Sequence, residues 1–363
     1  MGRAADADFY LRLFRAAAPE RFACIAVDSV LLADAGDAVV LDLCFLRALG
    51  LLPVVVVGTF QADVEAVQAR RLQQSLAAQG VTAALVGGAQ PLAGVRRAVA
   101  AGHLPILPLT AGADAAARLQ ALSTIALALR TRKVVVLEPR GALRMGGRRV
   151  PLVNLSRGLG PLRASGELAV EQSALLDWAH ALICGRPSDG LTVALTSPLD
   201  LLRELFTVGG AGTLLRRGAE VSQQAGWCGV DRPRLQQLLS SAFGRPLATD
   251  FFARPPTHLV LEAHYRGAAL LQATPRGTYL SKFAVEREAQ GEGIGHDLWE
   301  VVCAVDARLF WRARASNPVV SWYARQCDGL QRLEDWHVFW RGIAPAQLPA
   351  VIAYALAQPR DFI

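Results

Sequence analysis

The sequence predicts an α/β protein with two domains, a parallel-sheet sandwich over residues 1–218 and an α+β domain over residues 231–363, joined by a linker at 219–230. Three observations lead to this prediction. Strand-like and helical runs alternate through the first half, as in a parallel sheet with helices on both faces. Six of the seven tryptophans lie after residue 200, so the composition changes there. The 363 residues also exceed what one ordinary core needs.

The elements of the first domain follow in a regular order. Short apolar runs such as "VVVV" predict buried strands, and apolar residues at helical spacing, closed by Gly50 and by Gly80, predict helices between them. The predicted strands are 22–30, 51–58, 81–88, 104–109 and 133–138, and the predicted helices are 38–50, 63–80 and 115–130. Residues 197–218 close the layer with a helix, a glycine pair and a short strand.

The second domain begins with a helix in "DRPRLQQLLSSAFGRPL" that ends at Gly244. A hairpin over 257–274, with its turn at Arg266-Gly267, comes next, and "TYLSKFAV" is a third strand. The remaining elements are a helix from about Ile294, the strand "RLFWRARAS", a short helix around Trp322 and the run "WHVFWRG". Most of these elements follow the pattern of an α+β unit.

The charge composition argues against a nucleic-acid-binding protein. The net charge is +7 and the pI about 9.4, but no basic run exceeds two residues and arginines are spread among acids. We therefore expect a dispersed, solvated surface and no nucleic-acid partner. A modest basic bias also suits anionic small substrates.

Cysteine usage and hydropathy predict a cytoplasmic protein. The six cysteines are scattered, without a CxxC pair, which favours a reducing compartment and argues against zinc, so we expect no metal. The longest uncharged run, 72–95, contains glutamine, serine, proline and glycine and does not suit a membrane span. The first residues carry acids early and lack an apolar signal core.

A glycine-rich loop is the main chemical motif. Gln290-Gly291-Glu292-Gly293-Ile294-Gly295 follows a predicted strand and opens a predicted helix. Small residues let backbone N–H groups face an anion, and the helix N-terminus adds partial positive charge. The spacing and position differ from the G-x-G-x-x-G of a dinucleotide-binding βαβ unit. A loop that merely caps the helix stays a structural alternative.

The loop and its surroundings resemble a known family. "YLSKFAV", "QGEGIG" and "FWRARASNP" resemble the acetyltransferase domain of vertebrate-like N-acetylglutamate synthases, and the loop resembles the pyrophosphate loop of the GNAT acyltransferases. "LLRELFTVGGAGTLLRR" resembles the end of an N-acetylglutamate kinase domain. The resemblance implies an amino-acid-kinase-like domain followed by a GNAT domain. It also implies acetyl transfer from acetyl-CoA to L-glutamate, the first step of arginine biosynthesis.

The resemblance implies roles for residues that match the family's motifs. Glutamate brings two carboxylates, so its pocket needs cations in fixed geometry. Arg245 stands where the family has a lysine, and Lys282 is one of two lysines in the chain. The implied glutamate-binding residues are Lys282, Arg312, Arg314, Arg245, Tyr279 and Leu280. The implied acetyl-CoA-binding residues are Phe283, Val285, Gln290, Gly291, Gly293, Ile294 and Gly295.

Asn317 and Tyr323 are the implied catalytic residues. A phenol can hydrogen-bond to or protonate the CoA thiolate as it leaves. The alternative for Tyr323 is a tyrosine packed beside Trp322. Arg312 and Arg314 lie two apart on a predicted strand and so face one side, which an exposed strand face would also explain.

The kinase-like half lacks residues that phosphoryl transfer needs in the family. Ala26 stands at the expected lysine, Gly58-Thr59-Phe60 at a run of three glycines, and Ala117 and Leu119 at an Asn-x-Asp element. We therefore predict a catalytically dead, regulatory and oligomerising domain, with L-arginine as a possible effector. "FYLRLF" resembles the helix that assembles tetramers in the family, so a homo-oligomer is expected.

Two other functions stay open from the sequence. One is a GNAT enzyme for a different amine, and the other is a non-catalytic, arginine-sensing scaffold. His296 is expected to cap or line its helix, and tryptophans 299, 311, 336 and 340 are expected in the core.

Overall fold

The computed structural model describes residues 11, 23–59, 65–87, 91–109, 114–157, 159–185, 190–207, 210–286, 293–359 and 361–362. The chain divides into two compact units, residues 1–217 and 218–363. This division lies next to the predicted boundary at residue 218.

The first unit is built on an eight-stranded sheet in the order β3-β4-β2-β1-β5-β9-β10-β8. Its neighbours pair in parallel except β9 with β10, which are antiparallel. The strands, with the separate β6–β7 hairpin, are β1 (Cys24–Val27), β2 (Val54–Val57), β3 (Ala83–Leu85), β4 (Leu104–Pro108), β5 (Lys133–Leu137), β6 (Arg144–Met145), β7 (Arg148–Arg149), β8 (Leu152–Asn154), β9 (Thr192–Thr196) and β10 (Thr213–Arg216).

Helices cover both faces of this sheet, as the alternating pattern predicted. They are α1 (Ser29–Ala48), α2 (Glu65–Ala78), α3 (Pro91–Ala100), α4 (Ala115–Ala128), α5 (Gly160–Ala164), α6 (Val170–Cys184) and α7 (Leu201–Phe206). Cys24 and Ala26 pack in one buried core, and Ile25 and Val27 pack in a second core on the other face. The alternation follows from the period of two in a strand.

The first helix begins well before the predicted start at residue 38. Asp28 caps it, because its side chain accepts a hydrogen bond from the Val30 backbone at 3.0 Å. Ala35 inside the helix has non-helical dihedral angles, with φ of −131°. This kink interrupts the apolar periodicity from which the helix was predicted.

The residues at the expected kinase positions are mostly apolar and buried. Ala26 lies within β1, and Thr59 follows β2 with its hydroxyl buried. Ala117 and Leu119 lie on α4, where Leu119 is part of the core. Phe60 lies outside the described residues, as does "FYLRLF" apart from Leu11.

The second unit contains a seven-stranded sheet in the order β11-β12-β13-β14-β15-β17-β16. Its strands are antiparallel to their neighbours except β14 and β15, which run parallel. They are β11 (Val221–Gln224), β12 (His258–Glu262), β13 (Gly267–Thr274), β14 (Gly277–Val285), β15 (Leu309–Arg314), β16 (Gly329–Arg332) and β17 (Trp336–Arg341). The predicted linker at 219–230 needs a correction, because β11 lies inside it and pairs with β12.

The α-helices among the described residues of the second unit are α8 (Arg232–Phe243), α9 (Ile294–Val305), α10 (Val320–Tyr323) and α11 (Leu348–Ala357). The predicted end of α8 is confirmed, because Gly244 caps it with a left-handed φ of 65°. The fold class is confirmed as a parallel-sheet unit followed by an α+β unit. None of the helices in the described part of the chain combines the length and apolar composition that crossing a membrane requires.

Candidate active site

Two neighbouring strands of the second sheet separate partway along their length. β14 and β15 pair at three positions, from Thr278 with Leu309 to Leu280 with Trp311. The register of β14 against β13 shifts after Leu280, so Ser281 is an extra, bulged residue. Beyond the bulge, the described residues of β14 pair with β13 alone. The separation leaves an opening between the two strands immediately after Leu280.

Side chains around this opening lie on opposite faces of the sheet. Leu280, Trp311 and Tyr323 belong to one core, against which Phe283 packs together with α9. Successive strand residues alternate between faces. Lys282 and Arg312, adjacent to Phe283 and Trp311, therefore lie on the other face, which α8 and α11 cover. The predicted cations and the predicted acid flank the same opening from its two sides.

The Lys282 side chain is largely buried, and its ammonium has three hydrogen-bond acceptors. Its ammonium donates to the Ser281 carbonyl at 3.2 Å and to the Ser281 hydroxyl at 3.1 Å. It also donates to Asp361 Oδ2 at 2.5 Å, and both side chains of this ion pair are 10% exposed. Burial lowers the pKa of Lys282, and the Asp361 carboxylate opposes that shift.

Arg312 and Arg314 share one aromatic platform. Their guanidinium groups lie 4.2 Å and 4.5 Å from the centre of the Trp336 ring, which confirms that both side chains face one way. Arg314 is 41% exposed on its side chain and lies 4.0 Å from Asp335. Trp336 was expected in the core, but it is partly exposed and supports both arginines.

Arg312 binds backbone carbonyls at the end of α11 and just beyond it. Its two terminal nitrogens donate to three carbonyl oxygens, at 2.9 to 3.2 Å. The acceptors belong to Leu356, Gln358 and Pro359. No sequence pattern indicates this contact, because the acceptors are backbone atoms that lie far along the chain from Arg312.

Tyr279 and Leu280 lie on opposite faces of the sheet, because successive residues of a strand alternate. Tyr279 packs against Phe310 and Tyr354 on the face that α11 covers. Leu280 packs on the other face, in the hydrophobic core that also contains Tyr323. Burial raises the pKa of Tyr279 to about 12, although the neighbouring Arg312 works in the opposite direction. The Tyr279 phenol is therefore a neutral hydrogen-bonding group at physiological pH.

Tyr323 is 6% exposed and lies in a cage of aromatic rings. Its ring centroid is 5.4 Å from Trp322 and 5.5 Å from both Trp311 and Phe339. Burial raises the pKa of Tyr323 above its ordinary value, and Tyr279 adds to the shift. The phenol keeps its proton well into the alkaline range, so it is available as a donor.

Asn317 shapes the turn before Tyr323. Its side-chain oxygen accepts a hydrogen bond from the Val319 backbone at 3.0 Å, and its carbonyl accepts from Val320 at 3.0 Å. These bonds start the single-turn helix α10, on which Tyr323 sits. Asn317 therefore helps to position Tyr323 by fixing the turn that leads into α10.

The described part of the glycine loop lies against β14. Gly293 caps α9 with φ of 83°, a left-handed conformation that favours glycine. A Cβ added to Gly295 would lie 3.5 Å from Val285 and 3.8 Å from Phe283, so the first turn of α9 contacts both predicted residues. Ile294 is buried in the adjoining core. Gln290 and Gly291 lie outside the described residues.

Arg245, unlike the buried or partly buried Lys282, Arg312 and Tyr279, is an exposed residue. It follows the Gly244 cap of α8, its backbone donates to Ser240, and its side chain is exposed. Phe243, in the same turn, lies 4.6 Å from the Phe362 ring, so the helix end adjoins the segment that carries Asp361. Arg245 thus lies near this segment, and within the described part of the chain its guanidinium has no hydrogen-bond or ion-pair partner.

One group in the described part of the chain has the donors for a metal ion. Ligand atoms of His296, Asp297 and Glu300 lie within 4.8 Å of one another on α9. His296 pairs with Glu300 at 3.5 Å, and Asp297 accepts from the Ala219 backbone at 2.7 Å. These side chains already have protein partners, and the expectation of no metal stays a prediction.

The second unit matches a known enzyme family. Residues 219–354 match the family described as NAT, N-acetyltransferase, of N-acetylglutamate synthase. The human mitochondrial N-acetylglutamate synthase is 32% identical over 67% of this chain and 48% of its own length. The chain therefore spans about half of that relative.

The whole chain also has relatives of its own length. An acetylglutamate kinase of Xylella fastidiosa strain Temecula1 is 28% identical over 100% of both chains. Among solved structures, N-acetylglutamate synthase from Neisseria gonorrhoeae complexed with coenzyme A and N-acetyl-glutamate covers 94% of this chain and 99% of its own, with a TM-score of 0.52 and 18% identity. At that identity the match shows the fold. The predicted resemblance to N-acetylglutamate synthases, with a kinase-like first domain, is confirmed.

Proposed function

We propose that this chain, which carries the acetyltransferase domain of the N-acetylglutamate synthases, transfers the acetyl group of acetyl-CoA to the amine of L-glutamate. The observation that carries the proposal is the opening between β14 and β15. Two buried or half-buried cations, Lys282 and Arg312, border it on one face of the sheet, and the phenol of Tyr323 borders it on the other.

The proposed acceptor site lies on the cationic face. Lys282, Arg312 and Arg314 supply positive charge for the two carboxylates of glutamate, and Tyr279 supplies a neutral phenol beside them. Charge-assisted hydrogen bonds to carboxylates discriminate glutamate from acceptors with a single carboxylate. Leu280 and Arg245 are retained as proposed contacts on the strength of the family resemblance.

The proposed acetyl-CoA site lies between the separated strands and the first turn of α9. The pyrophosphate is expected at the loop that ends at Gly295, where backbone N–H groups and the helix N-terminus favour an anion. Phe283 and Val285 line the strand side of this turn. The backbone of β14 beyond the bulge, unpaired on its β15 side, can hydrogen-bond an extended ligand in the opening.

In the proposed reaction, the neutral amine of glutamate attacks the thioester carbon. A C–N bond forms, the C–S bond breaks, and the amine releases a proton to solvent. Tyr323 donates its proton to the departing sulfur and regains one from solvent. Asn317 supports the start of α10, the helix that ends at Tyr323, through its bond to Val319.

The test follows free thiol while the purified protein is incubated with acetyl-CoA and each amino acid in turn. We expect thiol release with L-glutamate in excess of every other amino acid. Faster release with another amine would assign a different GNAT acceptor. No release with any amine would favour a non-catalytic scaffold.

A second candidate function, acetylglutamate kinase, is favoured by the full-length relatives that carry this name. Ala26 and Leu119 at the expected lysine and Asn-x-Asp positions argue against it. We propose that the first unit is catalytically dead and serves assembly and regulation. L-Arginine as its effector, a homo-oligomer such as a tetramer and a cytoplasmic location are parts of this proposal. A synthase structure complexed with L-arginine supports the effector.

A further inference from the structure

The end of α11 and the described residues that follow it, 356–359 and 361, bind both cations of the proposed acceptor site. The Asp361 carboxylate accepts from Lys282 at 2.5 Å and from Arg254 at 3.0 Å. Three carbonyls of the segment accept from Arg312. Asp361 is itself held in place, because its backbone carbonyl accepts from Ala248 at 2.9 Å.

These contacts use the donors that an acceptor carboxylate needs. An ammonium has three N–H groups. In Lys282 they are matched by the carbonyl and hydroxyl of Ser281 and by Asp361. A substrate carboxylate can therefore bind Lys282 only in the place that the Asp361 carboxylate occupies.

We propose that the described residues 356–359 and 361 form a strap that closes the acceptor site from within, with the Asp361 carboxylate standing where a carboxylate of the acceptor binds Lys282. This inference rests on the proposed function and adds a regulatory contact to the same site. The acceptor enters by exchanging its carboxylate for that of Asp361. Opening the strap also frees Arg312 for the second carboxylate.

The exchange avoids a large electrostatic cost because it never leaves the buried ammonium without a counter-charge. Removing one partner of a buried ion pair is strongly destabilising, but substituting one carboxylate for another keeps the pair complete. The Asp361 carboxylate also keeps an ion-pair partner after it leaves Lys282, because its Oδ1 is already bound to Arg254. Arg254 is 45% exposed and lies 3.5 Å from Asp250, so Asp361 can stay with it nearer to solvent.

A closed strap lowers the apparent affinity for the acceptor. If the open form is a minor state, the apparent dissociation constant rises in inverse proportion to its population. Asp361→Asn removes the competing charge and shifts the population toward the open form. The expected result is a fall of roughly tenfold in KM for glutamate, as one charged hydrogen bond of this kind supports, with little change in kcat or in KM for acetyl-CoA.

The decisive test labels lysines with an amine-reactive acylating reagent and reads each site by mass spectrometry. The chain has two lysines, so Lys133, which pairs with Glu204 at 3.4 Å, is an internal reference. In the unaltered protein Lys282 should be labelled slowly. In Asp361→Asn its labelling should rise roughly tenfold relative to Lys133, and L-glutamate should restore protection.

Two further variants separate the strap from a loss of folding. Asp361→Glu keeps the carboxylate and should keep Lys282 protected. Asp250→Asn alters the other partner of Arg254 and should leave both the labelling and KM unchanged. Equal labelling of Lys282 in the unaltered protein and Asp361→Asn overturns the strap, as does a raised KM for glutamate in that variant. Turnover of glutamate by the unaltered protein tests the proposed function separately, because the labelling needs no catalysis.

Discussion

Replacing Tyr323 by phenylalanine tests the proposed acid with the smallest possible change. The substitution removes one hydroxyl and keeps the ring that contacts Trp311, Trp322 and Phe339. Because the aromatic cage remains filled, we expect the free energy of unfolding to change little. A large fall in kcat would then be due to the loss of the Tyr323 hydroxyl proton and not to altered packing.

We expect kcat to fall roughly tenfold to a hundredfold, equivalent to about 1.4–2.7 kcal/mol in the barrier. The two KM values should change little, because the hydroxyl acts on the departing sulfur and not on the bound ground states. Burial raises the pKa of Tyr323. Its loss of a proton therefore lies above the ordinary value near 10, and the rate of the unaltered enzyme should not fall from this cause between about pH 7 and 10.

The assay is thiol release at saturating acetyl-CoA and glutamate, measured from about pH 6 to 10. Tyr354→Phe is the matched control, because Tyr354 packs against Tyr279 and Phe310 on the opposite face of the sheet. Its kcat should match that of the unaltered enzyme. If Tyr323→Phe also turns over at the unaltered rate with the same alkaline profile, Tyr323 is a core residue and another group protonates the sulfur.

Three further predictions follow from the two units. Lys282→Ala should raise KM for glutamate roughly tenfold to a hundredfold, which corresponds to the loss of one charged hydrogen bond. KM for acetyl-CoA should stay nearly unchanged. An unaltered KM for glutamate would show that Lys282 is not part of the acceptor site. Incubation with ATP and N-acetylglutamate should give no phosphorylation above background, since Ala26 and Leu119 stand at kinase positions; product formation would show that the first unit is active. Burial raises the pKa of Asp42 from 3.8 to about 6, so the folded state binds its proton more tightly and loses stability as the pH rises through that interval. Asp42→Asn should therefore increase the free energy of unfolding in urea at pH 7 by about 1 kcal/mol and have no such effect at pH 4; equal effects at both pH values would exclude the charge as the cause.

Local patterns predicted most of the second unit. The apolar alternation of "TYLSKFAV" gave β14, Gly244 gave the end of α8, and the glycine run gave the start of α9 at Ile294. Each of these signals is local, because the backbone preferences of a few adjacent residues and the spacing of their apolar side chains can be recognised from the sequence. The start of α1 was missed because Ala35 breaks the helix locally, and β11 was missed because its strand of polar residues resembles a linker.

The organisation of the site could not be predicted in the same way. Lys282 and Asp361 are separated by 79 positions, and nothing in "RDFI" distinguishes an acid that binds a buried ammonium from an exposed one. The placement of Lys282 and Tyr323 on opposite faces depends on a one-residue bulge at Ser281. A bulge reverses the facing of every later side chain on a strand, and its position is set by pairing across the sheet.

The bulge also explains why a chain so rich in arginine has a lysine at position 282. The ammonium is held between the carbonyl and hydroxyl of the bulged Ser281 and one carboxylate oxygen, an arrangement that three donors on a single atom can satisfy. A guanidinium is planar and carries five donors in a fixed fork, so in this pocket, 10% exposed, it would leave buried N–H groups without acceptors. Arg312 occupies a site with the opposite character, where a flat aromatic face and three separate carbonyls match a planar group. The two cations are therefore not interchangeable, and each fits the strand geometry on its own side of the opening.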